Sequence, residues 1–355
     1  MARIVVVTSS PPFVEGGHLV IARELVAACR AEGHAADLVV TPQNRFGRQG
    51  AAYLAAWCTD VGVAADGAAV DHVISLRYPA FAVRHPRHTC WLNHTMREYY
   101  DRWPAFSASL SWKNRIKESA RRALIHRADR HCLLGGVQRR FTISATVQAR
   151  LARWGGIPAD VLLPPAPVRA YRCDGYGDYL FAVSRLTPLK RFDLLLEALA
   201  QPSAQGIRAV IAGEGEDLPR LLELRRRLDL DRRVEFAGRL TDDQLLDHLA
   251  RCRAVAFTPL DEDYGFVTVE AFASRKAVVT CADSGGPTEL VADGVSGLVC
   301  APTAAALAAS LRRLMDDPAA AERMGAAGAA RAATLSWPAT VQRLLGAPDP
   351  PRPPV

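Results

Sequence analysis

The sequence contains no run of about 18 uninterrupted apolar residues, the length that a membrane-spanning helix needs. Its apolar opening, M-A-R-I-V-V-V-T, is too short for a signal peptide. The eight cysteines are scattered, without C-x-x-C spacing and without histidines at metal-ligand spacing. These absences argue against a disulfide framework and a zinc site. We therefore expect a cytoplasmic protein whose cysteines are reduced and mostly buried.

The positive charge is concentrated in the first half of the chain. Residues 1–170 carry 22 Lys and Arg against 12 Asp and Glu, whereas the remainder carries 22 and 25. Much of the excess lies in W-K-N-R-I-K-E-S-A-R-R-A-L-I-H-R-A-D-R, residues 112–130. Its apolar residues at helical spacing are Trp112, Ile116, Ala120, Ala123, Leu124 and Ala128. Three interpretations are open: a solvated surface helix, a helix resting on anionic lipid or an anionic acceptor, and a nucleic-acid contact, which lacks a supporting motif.

The order of apolar segments predicts two similar α/β domains. With 355 residues and 49% hydrophobic content, the chain suits two cores of roughly 150 to 180 residues each. A valine-rich strand at Arg3–Thr8, a glycine loop, a helix and a second strand open the chain. After P-P-A-P and C-D-G-Y-G-D, which we interpret as the linker, strands again alternate with helices. Ligands of such sheets bind at the carboxyl ends of the strands.

Two loops that follow predicted strands carry features suited to phosphate. Gly16 and Gly17 precede a helix, whose first amides and dipole favour an anion, although a simple turn explains the pair equally well. Arg185 and Lys190 lie five residues apart between a strand and a helix. The helix dipole repels cations at this end, which argues against two ordinary surface residues. Together the loops would suit a diphosphate.

The stretch D-E-D-Y-G-F-V-T-V-E-A-F contains two glutamates eight residues apart. Glu262 follows a predicted strand, and Glu270 lies about one turn into the next helix. A carboxylate accepts two neighbouring hydroxyls well, as ribose or a hexose presents them. The ordinary interpretation, an acid at a helix start with an unrelated partner, is also consistent with this spacing alone.

Several segments, in order, resemble glycosyltransferase family 4, the retaining, sugar-nucleotide-dependent enzymes of GT-B fold. They cover nearly the whole chain: E-G-G-H, A-V-S-R-L-T-P-L-K-R-F-D-L-L-L-E-A-L, V-I-A-G-E-G-E, V-E-F-A-G-R-L, E-D-Y-G-F-V-T-V-E-A-F-A-S, S-G-G-P-T-E-L-V-A-D-G-V-S-G-L-V and L-S-W-P. Where many members read E-G-F-G or E-P-F-G, this chain has an extra acid, Asp263, beside the expected sugar.

The resemblance implies an α/β, GT-B architecture of two doubly wound Rossmann-like domains facing across a cleft. Residues 1–168 would form the acceptor-side domain and residues 169–335 the nucleotide-sugar domain. A helix at 336–346 would cross back to the first domain, and residues 347–355 would be a disordered tail.

The resemblance also assigns roles to individual residues. Arg185 and Lys190 match the pair that binds the donor diphosphate and stabilises it as it leaves, Glu262 lies beside the donor sugar, and Glu270 holds the ribose. The other expected donor-side positions are Gly16, Gly17, Arg239, Tyr264, Gly265, Phe266, Val267 and Thr268.

On the acceptor side, the segment W-L-N-H-T-M-R-E-Y-Y-D looks like the one that carries an active-site histidine in some members. His94 is therefore the candidate catalytic residue beside Glu262, Arg185 and Lys190, with a structural histidine at a strand end as the alternative. Arg97 and Tyr100 are candidate acceptor contacts.

The implied activity is retaining transfer of a hexose from a UDP- or GDP-linked sugar to a hydroxyl of a glycan, a glycolipid or a small metabolite, as in polysaccharide biosynthesis. Cations and helix N-termini can stabilise the leaving diphosphate, so we expect neither a metal nor a cofactor. Two alternatives are a non-catalytic sugar-nucleotide-binding partner subunit and a nucleotide-sugar epimerase. We expect no nucleic-acid partner, and the 112–130 helix adds a candidate peripheral contact with the inner membrane face.

Overall fold

The chain divides into two compact units. The computed structural model describes residues 1–13, 16–43 and 46–346. One unit comprises Met1–Pro164 and Ser336–Val355, and the other comprises Pro165–Leu335. The predicted tail, residues 347–355, lies outside the described residues.

The first unit is built on short apolar strands that alternate with helices. Its described strands are β1 (Arg3–Ser10), β2 (Ala35–Pro42), β3 (His72–Ser75), β4 (His88–Leu92), β5 (Arg139–Thr142) and β6 (Asp160–Val161). Its described α-helices within Met1–Pro164 are α1 (Gly17–Ala31), α2 (Gln49–Cys58), α3 (Trp103–Ala108), α4 (Trp112–Arg130) and α5 (Ala145–Arg150).

These strands form one parallel sheet in the order β2-β1-β3-β4-β5-β6. Val6 of β1 pairs with Leu38 on one side and with Ile74 on the other, and its side chain is fully buried. Helices cover both faces of a parallel sheet, which explains why the strands read as continuous apolar runs. The predicted parallel sheet is therefore present.

The second unit repeats this architecture. Its described strands are β7 (Tyr179–Val183), β8 (Arg208–Ala212), β9 (Val234–Gly238), β10 (Ala254–Ala256), β11 (Ala277–Cys281) and β12 (Gly297–Cys300). Its described α-helices are α6 (Phe192–Leu199), α7 (Leu218–Arg227), α8 (Asp242–Arg251), α9 (Phe266–Ala273), α10 (Gly286–Leu290), α11 (Ala304–Asp316) and α12 (Pro318–Ala333).

The second sheet is parallel and runs β12-β11-β10-β7-β8-β9. The chain moves outward from β7 through β8 to β9, then returns to β10 on the other side of β7. The order therefore reverses between β7 and β10, and the crevice at the carboxyl ends of two such strands is where doubly wound sheets bind ligands.

The last helix, α13 (Trp337–Leu345), belongs to the first unit. The Thr89 hydroxyl donates to the Leu344 carbonyl over 3.1 Å, and the Trp91 and Trp337 rings meet edge to face at 6.3 Å. The helix predicted from L-S-W-P thus packs on the first unit although it follows the second in sequence.

The segment interpreted as a linker is fixed on the second unit. The Asp174 and Gly177 amides donate to the carbonyls of Ala250 and Arg251, each over 2.9 Å. The buried Lys276 ammonium donates to the Gly175 carbonyl. These bonds hold residues 174–177 against the end of α8 and the residue that precedes β11.

In the described part of the chain, no helix combines the length and the apolar character that crossing a membrane would require.

Candidate functional site

Two predicted site residues meet where the strand order of the second sheet reverses. Lys190 ends a 3₁₀ turn in the β7–α6 loop, and Glu262 lies in the β10–α9 loop. The Lys190 ammonium donates to Glu262 Oε2 and lies 5.5 Å from the centre of the Phe257 ring. The structure therefore brings together two side chains that are 72 residues apart in sequence.

Two further predicted cations lie at the same edge of this sheet. Arg185 is exposed one residue after Ser184, which follows β7, and Arg239 is exposed directly after β9. Neither guanidinium has a recorded acid partner among the described residues. Both are accessible to an anion that approaches the carboxyl ends of the strands.

Arg191 ties the loops of the site together. It adopts a left-handed backbone conformation, with φ of 50°, directly before α6. Its guanidinium makes a two-bonded pair with Asp283, over 2.7 and 2.6 Å, and donates to the carbonyls of Thr258 and Pro259, each over 2.8 Å. One side chain thus joins the loops that follow β7, β10 and β11.

Glycines in the neighbouring loops allow close backbone contact with the site. A Cβ at Gly213, after β8, would lie 1.8 Å from the Ser184 carbonyl oxygen, beside Arg185. A Cβ at Gly285, after β11, would lie 2.6 Å from the Glu262 carbonyl oxygen. The Gly286 amide donates to that carbonyl over 2.9 Å. These contacts explain the glycines of V-I-A-G-E-G-E and S-G-G-P.

Glu270 is a buried carboxylate in α9 with partners from the segment before β7. The Arg169 guanidinium donates to Glu270 Oε1, and the Tyr171 hydroxyl donates to the same oxygen over 3.4 Å. Arg169 also lies 3.2 Å from Asp242. Burial raises the pKa of Glu270 to about 7, and the opposing effects of Arg169 and Tyr171 do not cancel it. The carboxyl therefore titrates near neutral pH.

The start of α9 presents backbone amides rather than side chains. Gly265, with φ of 86°, precedes the helix, and the amides of Phe266 and Val267 belong to its first turn, where no intrahelical acceptor exists. The Tyr264 ring is buried, and the buried Thr268 hydroxyl has no hydrogen-bond partner in the described part of the chain. An anion or a hydroxyl can therefore be bound by the backbone here.

The remaining predicted donor contacts and the candidate histidine lie in the first unit. Gly16 is the N-cap of α1 and Gly17 is its first residue, so the predicted glycine pair does open a helix after β1. His94 follows β4 by two residues, is partly buried and has Nδ1 2.7 Å from the Thr95 carbonyl oxygen. These residues occupy the carboxyl ends of strands in their own sheet.

The two predicted acceptor contacts have structural partners. Arg97 is bound to Asp101 over 2.6 and 3.0 Å. Tyr100 is fully buried, its hydroxyl donates to Asp129 over 2.5 Å, and its ring stacks on His126 at 4.4 Å. Tyr100 therefore supports the fold of the first unit, and its side chain offers no surface to an acceptor.

Sequence reasoning missed the residues that hold the site in place. The missed residues are Arg169, Tyr171, Arg191, Gly213, Asp283 and Gly285. The two glycines could have been found, because each follows a predicted strand. Within residues 1–13, 16–43 and 46–346, no three His, Cys, Asp or Glu side chains are grouped to hold a metal ion.

Solved structures of known proteins share this fold. Over 97% of both chains, the structure is similar to sucrose-phosphate synthase from Thermosynechococcus elongatus, with a TM-score of 0.76 at 17% identity. Over 96% of this chain and 97% of the other, it is similar to Anabaena HepE in complex with UDP and glucose, with a TM-score of 0.70 at 17% identity. The predicted GT-B fold class is confirmed.

A family model matches part of the second unit. Residues 172–331 match the family described as glycosyl transferases group 1. D-inositol 3-phosphate glycosyltransferase from Kineococcus radiotolerans is 35% identical over 205 residues, 51% of this chain and 47% of that protein. Glycogen synthase from Mycobacterium tuberculosis is 38% identical over 127 residues, 36% of this chain and 30% of that protein. The matches thus span about half or less of these relatives.

Replacing Gly285 by alanine should destabilise the loop that carries Glu262. At φ of 74° and ψ of −125°, alanine incurs backbone strain on the order of 1–3 kcal/mol, and in addition its Cβ would clash with the Glu262 backbone. Gly294→Ala is the control, because Gly294 also has a positive φ, 71°, but nothing lies within 4 Å of its Cβ position. Thermal unfolding should show a clearly larger fall in midpoint for Gly285→Ala. Equal falls would contradict the packing assigned to this glycine.

Proposed function

We propose that this protein is a retaining glycosyltransferase that moves a hexose from a UDP- or GDP-linked sugar to a hydroxyl group of a glycan, a glycolipid or a small metabolite. The contact of Lys190 with Glu262 where the strand order reverses is the observation that carries the proposal. It places a cation suited to diphosphate directly beside a carboxylate suited to sugar hydroxyls.

The site has the groups that binding a nucleotide diphosphate sugar requires. Lys190 and Arg185 supply positive charge for the diphosphate, and the first amides of α9 can donate to its oxygens. Glu270 lies eight residues beyond Glu262 on the adjoining helix and would accept the ribose hydroxyls. The donor would then extend from Glu270 to Glu262, with the diphosphate between them.

The proposed reaction breaks the bond between the anomeric carbon and the phosphate oxygen. The electron pair leaves with the diphosphate, the acceptor oxygen bonds to the same face of the sugar, and the hydroxyl proton passes to the departing phosphate oxygen. Lys190 and Arg185 stabilise the negative charge that develops on the leaving group. His94 stays the candidate acceptor-side residue of the first unit.

Both carboxylates are paired with cations in the structure, and donor binding would break one of these pairs and keep the other. The diphosphate would draw Lys190 from Glu262, which frees the carboxylate for sugar hydroxyls. The ribose would share Glu270 with Arg169, whose positive charge favours the ionised carboxyl. Arg169 is therefore a positioning residue for Glu270.

A protein with the same fold suggests the first donor to test. Anabaena HepE, which shares the fold, is described in complex with UDP-glucose, over 96% of this chain with a TM-score of 0.68. UDP-glucose and GDP-mannose, each with and without a panel of acceptors, separate the proposal from its two alternatives. A sugar product without acceptor would favour an epimerase, and tight binding without turnover would favour a non-catalytic partner subunit.

Lys190→Ala should lower turnover by roughly 10² to 10³, because a cation that stabilises the leaving charge is lost. Arg227→Ala is the control, since Arg227 is an exposed cation on α7 of the same unit. Transfer is measured as nucleoside diphosphate released in the presence of acceptor. Near-normal transfer by Lys190→Ala would refute the diphosphate assignment.

Binding of the nucleotide sugar should weaken as the pH falls through about 7. Only the ionised Glu270 accepts two hydroxyls, and a pKa of about 7 makes the affinity about tenfold lower at pH 6 than at pH 8. A nucleotide sugar is the suitable probe, because its diphosphate does not titrate in this range. Calorimetric titrations from pH 6 to pH 8 measure the effect.

Two variants separate the roles of Glu270 and Arg169. Glu270→Gln should give weaker binding that no longer depends on pH. Arg169→Gln should move the midpoint to higher pH, because the cation that favours ionisation is gone. An unchanged midpoint in Arg169→Gln would show that this arginine has a structural role alone.

A further inference from the structure

Helix α4 of the first unit packs with its acidic face inward. Its buried residues are Glu118, Ile125 and Asp129, so both of its acids face the interior. The apolar residues expected to share one face are on the outside: the exposed fractions of Trp112, Ile116 and Leu124 are 66%, 64% and 67%. An ordinary surface helix buries its apolar face, and α4 does the opposite.

Tyrosine hydroxyl groups make this orientation stable. Asp129 accepts hydrogen bonds from Tyr53 and from Tyr100, the latter over 2.5 Å. Glu118 accepts one from Tyr99 over 2.6 Å. Because buried carboxylates need hydrogen-bond partners, these bonds fix which side of the helix faces the interior.

The outward side of α4 combines apolar and cationic side chains. Ala120 and Ala123 lie exposed between the three large apolar residues. The exposed cations of the helix without an ion pair within the described residues are Lys113, Arg115, Lys117, Arg127 and Arg130, of which Arg130 donates to the carbonyls of Gly155 and Gly156. With Glu118 and Asp129 buried, no acid of α4 is left on this side.

An anionic lipid surface fits this combination better than other partners. Interfacial helices carry Trp and Leu on one side and Lys or Arg beside them, with the long cationic side chains reaching the headgroups. Nucleic acid would leave Ile116 and Leu124 without an apolar partner, and α4 offers a single aromatic side chain for base stacking. At about 1.5 Å per residue, the 19-residue helix gives a contact of roughly 28 Å.

We propose that α4 docks this protein on an anionic bilayer. Trp112, Ile116 and Leu124 enter the boundary between headgroups and acyl chains, and the cations of the same side contact lipid phosphates. This contact is independent of the proposed transfer reaction, so either can fail without the other.

The test is co-sedimentation of the full-length protein with phosphatidylglycerol-phosphatidylcholine vesicles and with phosphatidylcholine vesicles. The protein should bind the anionic vesicles, less strongly at high salt, and should bind the neutral ones weakly. Two sets of substitutions test the two parts of the contact. Ile116→Gln with Leu124→Gln removes apolar side chains, and Lys113→Gln with Lys117→Gln and Arg127→Gln removes cations. Each should lower the partition coefficient at least tenfold.

The matched control alters another exposed surface. Val295→Gln with Arg226→Gln and Arg227→Gln removes an exposed apolar side chain and two exposed cations from the second unit and should leave vesicle binding unchanged. Circular dichroism confirms that each variant is folded.

Five outcomes would overturn the proposal. One is the absence of binding to anionic vesicles, and another is equal binding to neutral vesicles. A third is that the α4 variant sets and the control set lower vesicle binding equally. A fourth is a dimer in size-exclusion chromatography that the substitutions Ile116→Gln and Leu124→Gln dissociate. The last would identify a second copy of the chain as the partner. Binding of an RNA oligonucleotide through the α4 cations without vesicle binding would also overturn it.

Discussion

The hydrogen bonds of Arg191 hold the candidate site together. The parallel pairing of β7 with β10 brings two loops to one edge of the sheet, but pairing alone does not fix how the loops lie. Arg191 lies in the loop after β7, and its guanidinium binds Asp283, which follows β11. It also donates hydrogen bonds to the carbonyls of Thr258 and Pro259, which follow β10. Lys190, its neighbour in sequence, is thereby held where it meets Glu262.

A second constraint is that one buried acid in each unit is bound by a donor far away in sequence. Glu270 is bound by Arg169, 101 residues earlier, and Asp129 is bound by Tyr53, 76 residues earlier. In the second unit the pair with Arg169 fixes the Glu270 carboxylate on α9. In the first unit the tyrosines hold α4 with its apolar and cationic side outward. The same kind of contact thus orients a side chain in one unit and a helix in the other.

Most of the fold could be predicted because parallel strands buried on both faces are short apolar runs. The strands predicted at Arg3–Thr8 and Tyr179–Ser184 are present at Arg3–Ser10 and Tyr179–Val183. The places of Arg185, Lys190, Glu262 and Glu270 after strands or in a helix were predicted in the same way, whereas their roles stay predictions. The partners could not be predicted, because contacts such as Arg169 with Glu270 depend on tertiary structure. For the same reason helical periodicity predicted which apolar residues share a face of α4, but not whether that face is buried or exposed. It also did not reveal that Tyr100 is buried.

The central claim is that one nucleotide sugar binds between Glu262 and Glu270 of the second unit. The most direct test is a crystal structure with a non-transferable UDP-sugar bound. We expect diphosphate oxygens at hydrogen-bond distance from Lys190 and Arg185, ribose hydroxyls on Glu270, and Lys190 separated from Glu262. A nucleotide bound elsewhere, with the contact between Lys190 and Glu262 intact, would contradict the account.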